Sequence, residues 1–333
     1  MAGAARRMNR TILRSPIALV ERDWTFVPSP APFRTRVLRG WHRATARLPA
    51  PPQVIVRPLT RAKRWNLLFL FSRDGRIDAA QREILKRLRG LTGRLFVVYA
   101  GPAGTDLPSD LDLADALVRK GSEGFDFSAY ALGLTLVAEH SPGADVYVQN
   151  DSVLGPLGDV DMLVGRAGWD LTGFMASAAV ENHISTFAFI LKSVTLERVA
   201  SLSAILSDNW CYGRFDPVVL MQETRFARIA HRRMSVGAFF YMPVPPAARS
   251  WRQRASIWRD PASATRYPLD VRGDATLGSP LELLDAGFPF LKRSLFGKFT
   301  GVADDSAICQ RLIRMGWPAD AIQIRTPVVS SSA

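Results

Sequence analysis

Asp151 directly follows an apolar run, Asp145-Val146-Tyr147-Val148-Gln149-Asn150, and leads into Ser152-Val153-Leu154-Gly155-Pro156. A carboxylate with a neighbouring amide oxygen at a strand end can hold a divalent cation together with the diphosphate bound to that cation. The same residues can also close an Asx turn that ends the strand. A second group, Arg119-Lys120-Gly121-Ser122-Glu123-Gly124-Phe125-Asp126, stands at another strand-to-helix junction. Gly121 and Gly124 let backbone approach a ligand, and the helix N-terminus that follows favours an anion. Asp126 is then either a ligand for a nucleotide base or ribose hydroxyl, or the cap of the helix. The spacing departs from G-x-G-x-x-G, so this is not a dinucleotide fingerprint.

Other chemistries have less support. His42, His140, His183 and His231 show no metal-ligand spacing. No G-x-S-x-G elbow backs a Ser-His-Asp hydrolase. Cys211 and Cys309 lack a CxxC or CxH companion, which excludes a disulfide framework and a structural zinc site and fits a reducing cytoplasm.

The elements that must position these residues can be read from hydrophobic pattern. Asn66 to Ser72 and Arg94 to Ala100 are continuous apolar runs of buried-strand length. Asp78 caps a helix reaching Leu91, with Ile84, Leu85, Leu88 and Leu91 on one stripe. A helical stretch from Leu111 to Leu117, a short segment Leu117-Val118-Arg119, a helix from Ser128 to His140 and a strand from Asp145 to Asn150 follow. Repeated βα units predict an α/β, mainly parallel sheet flanked by helices, with ligands at the carboxyl ends of its strands. Met175 to Ser207 reads as helical, mixed segments, followed by a proline-rich stretch around Pro243, Pro245 and Pro246 and a terminal region with Trp251, Trp258 and Trp317.

The 333 residues are 47% hydrophobic and 22% charged, the composition of a folded globular protein. The net charge of +13 is local, because residues 1–64 hold fourteen Lys and Arg against Glu21 and Asp23, leaving the remainder near neutral. The basic surface therefore belongs to a proline-punctuated N-terminal arm, residues 1–62. Within it Phe33, Val37, Trp41, Ala44 and Leu48 recur at helical spacing among arginines, a pattern suited to an anionic membrane surface or to docking on the body. Nucleic acid is not an expected partner, because aromatic and basic residues do not interleave on the body. The most apolar segment, Ile184 to Val194, is too short to span a bilayer and contains Lys192. Residues 63–300 read as the main domain, with a nucleotide half, 63–155, and an acceptor half, 156–300; residues 301–333 form a C-terminal extension.

Several short boxes in order resemble the rhamnan synthesis protein F family, whose members look like GT-A type, Rossmann-like glycosyltransferases. Gly124-Phe125-Asp126-Phe127 resembles its G-[YF]-D-[FW] box, and Asn150-Asp151-Ser152 with Gly155-Pro156 its N-D-S-x-x-G-P box. Asp170-Leu171-Thr172-Gly173 and His183-Ile184-Ser185-Thr186-Phe187 are similar to its D-[WF]-[WF]-G-[LM]-T and H-[LI]-Q-S-[YF]-F boxes. Glu223-Thr224-Arg225-Phe226 resembles E-x-G-L-[ST], and Gly287 to Arg293 resembles G-x-P-F-[LV]-K-[RK]. Ser185-Thr186, Leu171-Thr172 and Thr224-Arg225 depart from the family's usual residues, and residues 1–60 lie outside the match.

The resemblance implies an inverting rhamnosyltransferase. It would use a nucleotide-diphosphate sugar, TDP- or GDP-rhamnose, and a saccharide or lipid-linked acceptor in cell-surface polysaccharide synthesis. It would be cytoplasmic, or peripheral on the inner face of the membrane through residues 1–62. Asp151 would bind Mn or Mg or the diphosphate, with Asn150 and Ser152 assisting. Arg119, Gly124 and Asp126 would address the nucleotide, and Lys292 and Arg293 would close on the phosphates. Asp170, Glu223 and His183 are the candidate bases, Asp170 favoured. Because the Asn-Asp-Ser box supplies one carboxylate where many such transferases have two, the alternative is a non-catalytic sugar-binding or polysaccharide-assembly protein on the same fold.

Overall fold

A computed structural model describes residues 17, 20–243 and 274–322. The arginines of residues 1–16, Pro245, Pro246, Trp251, Trp258 and the serine tail lie outside the described residues. The chain begins with β1 (Glu21–Thr25), α1 (Phe33–Thr45), β2 (Arg47–Pro49) and β3 (Gln53–Arg57). A βα series follows: β4 (Arg64–Phe71), α2 (Ala79–Arg89), β5 (Arg94–Ala100), β6 (Ala116–Lys120), α3 (Phe125–His140) and β7 (Ala144–Asn150). Next come β8 (Val153–Leu154), α4 (Val160–Arg166), β9 (Leu171–Ser177), β10 (His183–Ile184), β11 (Ala188–Val194) and α5 (Leu196–Ala200). The last are β12 (Trp210–Tyr212), α6 (Phe215–Val218), α7 (Thr224–Ala230), β13 (Val236–Met242), the short helices α8 (Ala275–Gly278) and α9 (Pro280–Asp285), β14 (Leu291–Lys292) and α10 (Asp305–Arg314).

One 10-stranded sheet organises the molecule, in the order β1-β13-β9-β11-β7-β4-β5-β6-β3, with β10 pairing β9. β7, β4, β5 and β6 run parallel, as do β9 and β13, while β11 lies antiparallel between β7 and β9. This is the α/β architecture expected from the sequence. Burial explains it: every residue of β4 from Trp65 to Leu70 is buried. Trp65, Leu67 and Phe69 pack with α3 and α7 on one face, and Leu68 and Leu70 pack with α2 and α4 on the other. A strand buried on both faces must be apolar at every position, which produces the unbroken runs in the sequence. α3 is buried on nearly all sides, so it lacks the polar stripe of a surface helix.

The structure corrects four expectations. Met175 to Ser207 holds the end of β9, then β10, β11 and only one short helix, α5, because β11 is a central strand and its apolar run is indistinguishable by periodicity from a buried helix. Leu111 to Leu117 contains only a 3₁₀ turn, Ser109–Leu113, and the short segment after it is β6, a full member of the sheet. Residues 1–62 do not form a free arm: β1 pairs β13 and β3 pairs β6, so their described part closes both edges of the sheet. The nucleotide and acceptor halves share that sheet, and Ile308, Leu312 and Trp317 of the C-terminal segment are buried in the same core as α2. Among the described residues no helix is long and apolar enough to cross a membrane.

Candidate functional site

The parallel arrangement places the ends of β4, β6 and β7 on one edge of the sheet, and the polar junctions picked out in the sequence meet there. β4 leads by α2 to β5 on one side, while β7 returns to its other side. Chain order reverses between β4 and β7, the topological switch point where α/β sheets open a crevice for ligands. Asp151 stands at that point. Its Oδ2 accepts the Phe71 backbone N–H at 3.1 Å and Gln81 Nε2 at 2.6 Å. Burial pushes its carboxyl upward, opposed by the Gln81 donor and the charge of Arg293.

Gln81 was not singled out from the sequence. It forms a capping box with Asp78, whose Oδ1 accepts Gln81 N at 2.8 Å while Gln81 Oε1 accepts Asp78 N at 3.1 Å. Its amide also donates to Phe71 O at 2.8 Å. The Asp-x-x-Gln spacing announces the capping box; that the same glutamine would hold Asp151 emerges only when β7 lies beside β4.

Arg293 joins this group through a two-stranded ribbon, β14 against β8, which matches Leu291 with Leu154 and Lys292 with Val153. Phe288 and Phe290 anchor the segment by edge-on contacts with Phe187. Arg293 N then donates to Ser152 O at 2.9 Å. Its guanidinium reaches Asp78 Oδ2 at 2.5 Å and Asp151 O at 3.3 Å. A cleft of about 340 Å³ opens here, lined by Asp78, Leu154, Arg293, Ser294, Phe296 and Gly297 among others. Lys292 is committed elsewhere, its Nζ 3.1 Å from Asp274 Oδ2.

Asn150 links Asp151 to the second junction. Its Oδ1 accepts Ser152 N at 3.1 Å and Ser152 Oγ at 2.5 Å, the Asx turn read from the sequence, while its Nδ2 donates to Asp126 Oδ2 at 3.0 Å. Asp126 does not cap α3. The N-cap is Gly124, and Asp126 lies in the first turn with Oδ1 accepting Phe127 N at 3.0 Å. Burial, then the neighbouring charge of Glu223, raises the Asp126 carboxyl to about 7. Glu223 ends a π turn, Val219–Glu223, and accepts Thr186 N at 3.3 Å, while Tyr130 donates to Thr186 O at 2.8 Å. Short π segments that interrupt helices are frequent at functional sites.

Gly124 adopts φ +82, and a Cβ there would lie 2.6 Å from Ser128 Oγ and 2.7 Å from Cys211 Cβ, so its own packing requires glycine. Lys120, 2% exposed, donates to the carbonyls of Gly121 and Glu123 at 2.8 Å each and pins this loop; burial pulls its ammonium down to about 8. The sequence places Lys120 in this group, but its role as the pin of the loop follows only from the fold. Arg119 secures the loop after β5 by donating to Thr105 O at 2.6 Å and to Pro102 O.

The three candidate bases separate. Glu223 is beside Asp126. His183 is buried, and its Nδ1 lies 2.7 Å from the Glu181 carbonyl, the bond of a structural histidine. Asp170 precedes β9, at the opposite edge of the sheet, roughly 20 Å from Asp151 at about 3.3 Å per strand residue. Burial would raise its carboxyl, but two donors from Ser235 and the Arg198 guanidinium outweigh this and hold it below the usual range.

Among the described residues no group of three or more His, Cys, Asp or Glu could hold a metal ion. Asp151 Oδ2 already takes two N–H donors, and the neighbouring carboxylate, Asp78, is committed to Gln81 N and the Arg293 guanidinium. This donor set does not fit a cation held by the protein itself.

Fold and site together define a three-layer α/β protein with a polar crevice at a topological switch point. No family model and no curated protein matches the chain. Among solved structures it is similar to the inositol-1-phosphate CTP transferase from T. maritima, at 11% identity and TM-score 0.30 over 57% of this chain and 92% of that chain. It is similar as well to S. aureus TarS, at 10% identity and TM-score 0.30 over 75% of this chain and 48% of that one, so it spans about half of the TarS chain. Neither likeness bears on substrate or reaction.

Proposed function

We propose that the chain is a glycosyltransferase that moves a sugar from a nucleotide-diphosphate donor to a growing cell-surface polysaccharide or its lipid-linked precursor. In this reading it acts in the cytoplasm, peripherally at the inner face of the membrane. The observation that carries the proposal is the placement of Asp151 on the Phe71 N–H, at the junction of β4 and β7 and on the same edge as Asp126. The motif resemblance alone suggests rhamnose, delivered as TDP- or GDP-rhamnose.

Glycosyl transfer needs a group that neutralises the departing diphosphate and, for inversion, a base for the acceptor hydroxyl. Arg293, at the mouth of the cleft, is the cation for the first task, and Asp151 orders the loop that presents it. For the second, a carboxyl that titrates near neutral pH is matched to proton transfer, which favours Asp126 with Glu223 beside it over Asp170. The acceptor oxygen bonds to the anomeric carbon as the bond to the diphosphate breaks, and the hydroxyl proton passes to the carboxylate.

The test is release of nucleoside diphosphate from a panel of nucleotide sugars that includes TDP- and GDP-rhamnose. Wild-type protein is expected to release it, and Asp151→Asn to lose release while keeping its melting temperature. A second reading, a non-catalytic sugar-binding or polysaccharide-assembly protein, draws on the prior commitment of Asp151 and Arg293 to partners within the chain. Binding without release would favour it; no binding at all would remove both readings.

A further inference from the structure

α1 is amphipathic in an unexpected sense, because its more polar side is the one that faces the protein. Thr35 and Arg39 are its buried residues, with Leu38 and His42 partly covered. Arg39 donates to Leu220 O at 2.8 Å and Thr224 Oγ1 at 2.7 Å and pairs with the fully buried carboxylate of Glu181, which also pairs with Arg228. The apolar residues stand on the opposite side: Phe33 is 71% exposed, Val37 55% and Trp41 64%. At 100° per residue these form one ridge with Ala44, flanked by the exposed Arg34 on one side and Arg36 and Arg43 on the other.

An outward apolar ridge bordered by arginines is costly in water and has the cross-section of a helix lying in a lipid interface. We infer that α1 is the surface by which this protein docks on an anionic membrane. Phe33, Val37 and Trp41 would enter the headgroup layer, and Arg34, Arg36 and Arg43 would meet lipid phosphates. The positive flanks select an anionic over a neutral surface, and the central ridge selects lipid over nucleic acid, whose phosphates would reward charge at the centre. Arg39 binds the carbonyl of Leu220, three residues before Glu223, so the docked helix would hold the π turn of the site close to the membrane, where a lipid-linked acceptor would lie. This deepens the peripheral placement proposed above and is tested apart from transfer.

Full-length protein is sedimented with phosphatidylcholine vesicles, with and without phosphatidylglycerol, and the melting temperature of every variant is checked. Binding is expected only with phosphatidylglycerol. Reversing Arg34, Arg36 and Arg43 to Glu should weaken it roughly 100-fold or more. Phe33→Ser with Trp41→Ser should abolish the part that persists at high salt. Asp151→Asn should bind vesicles like wild type, so loss of the transferase reading leaves this outcome readable. The inference is overturned by equal binding to neutral vesicles, by unchanged binding of the charge-reversed variant, or by an RNA affinity that the Phe33 and Trp41 substitutions leave intact while vesicles fail to bind.

Discussion

Asn150 donates its side-chain amide to Oδ2 of Asp126 over 3.0 Å, and this bond joins the loop after β7 to the first turn of α3. Two sequence segments 24 residues apart thereby become one site. Asn150→Ala would leave a buried carboxylate oxygen of Asp126 without its donor and should cost about 1–3 kcal/mol in urea unfolding. Nucleotide-sugar binding should weaken with it. A stability equal to wild type would show that the two junctions are held by other contacts.

The pH dependence of stability follows from Asp126. Burial and Glu223 raise its carboxyl from 3.8 to about 7, so between those values the folded chain keeps a proton that the unfolded chain has released. The stabilisation is full below about pH 4 and is lost as pH rises through about 7, at up to about 1.4 kcal/mol per pH unit. Asp151, also raised, acts in the same direction. The melting temperature should therefore fall between about pH 4 and pH 7 and level off above, and Asp126→Asn should flatten the decline. An identical slope in that variant would exclude Asp126 as its source.

Arg293 and Lys292 are adjacent in sequence but differ in partner: Arg293 reaches Asp78 and the Asp151 carbonyl at the cleft, and Lys292 reaches Asp274. A lost charge-assisted contact to a diphosphate is worth about 1.5–3 kcal/mol, so Arg293→Gln should reduce kcat/KM roughly 10- to 100-fold. Lys292→Gln should reduce stability and leave kcat/KM close to wild type. Equal losses in the two would mean that the ribbon, rather than the guanidinium, supports the reaction.

The two ends of the sheet provide a control for the base. Glu223→Gln should lower kcat by roughly 100-fold if the Asp126 and Glu223 pair handles the acceptor proton. Asp170→Asn removes an acceptor of the Ser235 donors and a partly exposed partner of Arg198, so it should cost about 1 kcal/mol of stability with kcat unchanged. A large kcat loss for Asp170→Asn, with stability kept, would reverse the assignment.

The parallel core was legible because a strand covered on both faces must be apolar throughout, as β4 and β5 are, and because the Asp78 cap marks where the chain turns into α2. β11 follows the same rule, yet it lies in a stretch that reads as mixed and helical, since a short apolar run looks alike in either element when both are buried. The boxes around Gly124 and Asn150 marked polar residues at strand ends, and both proved to lie on one edge. Asp170 sits in a box of the same appearance, but β9 enters the sheet with this residue at its amino end, a direction that spacing along the chain does not encode.

What the amino-acid sequence determined by itself was local: burial-driven strands, helix starts, an Asx turn at Asn150 and the basic, amphipathic character of α1. Tertiary structure alone decided three things. Gln81 and Arg293 converge on Asp151, Glu223 stands beside Asp126 to raise its pKa, and the apolar ridge of α1 faces outward because Arg39 is drawn inward to Glu181. The physical reason is that hydrophobic pattern and capping act within a few residues, whereas these pairings join residues 70 to 142 positions apart, whose neighbours depend on the order in which strands enter the sheet.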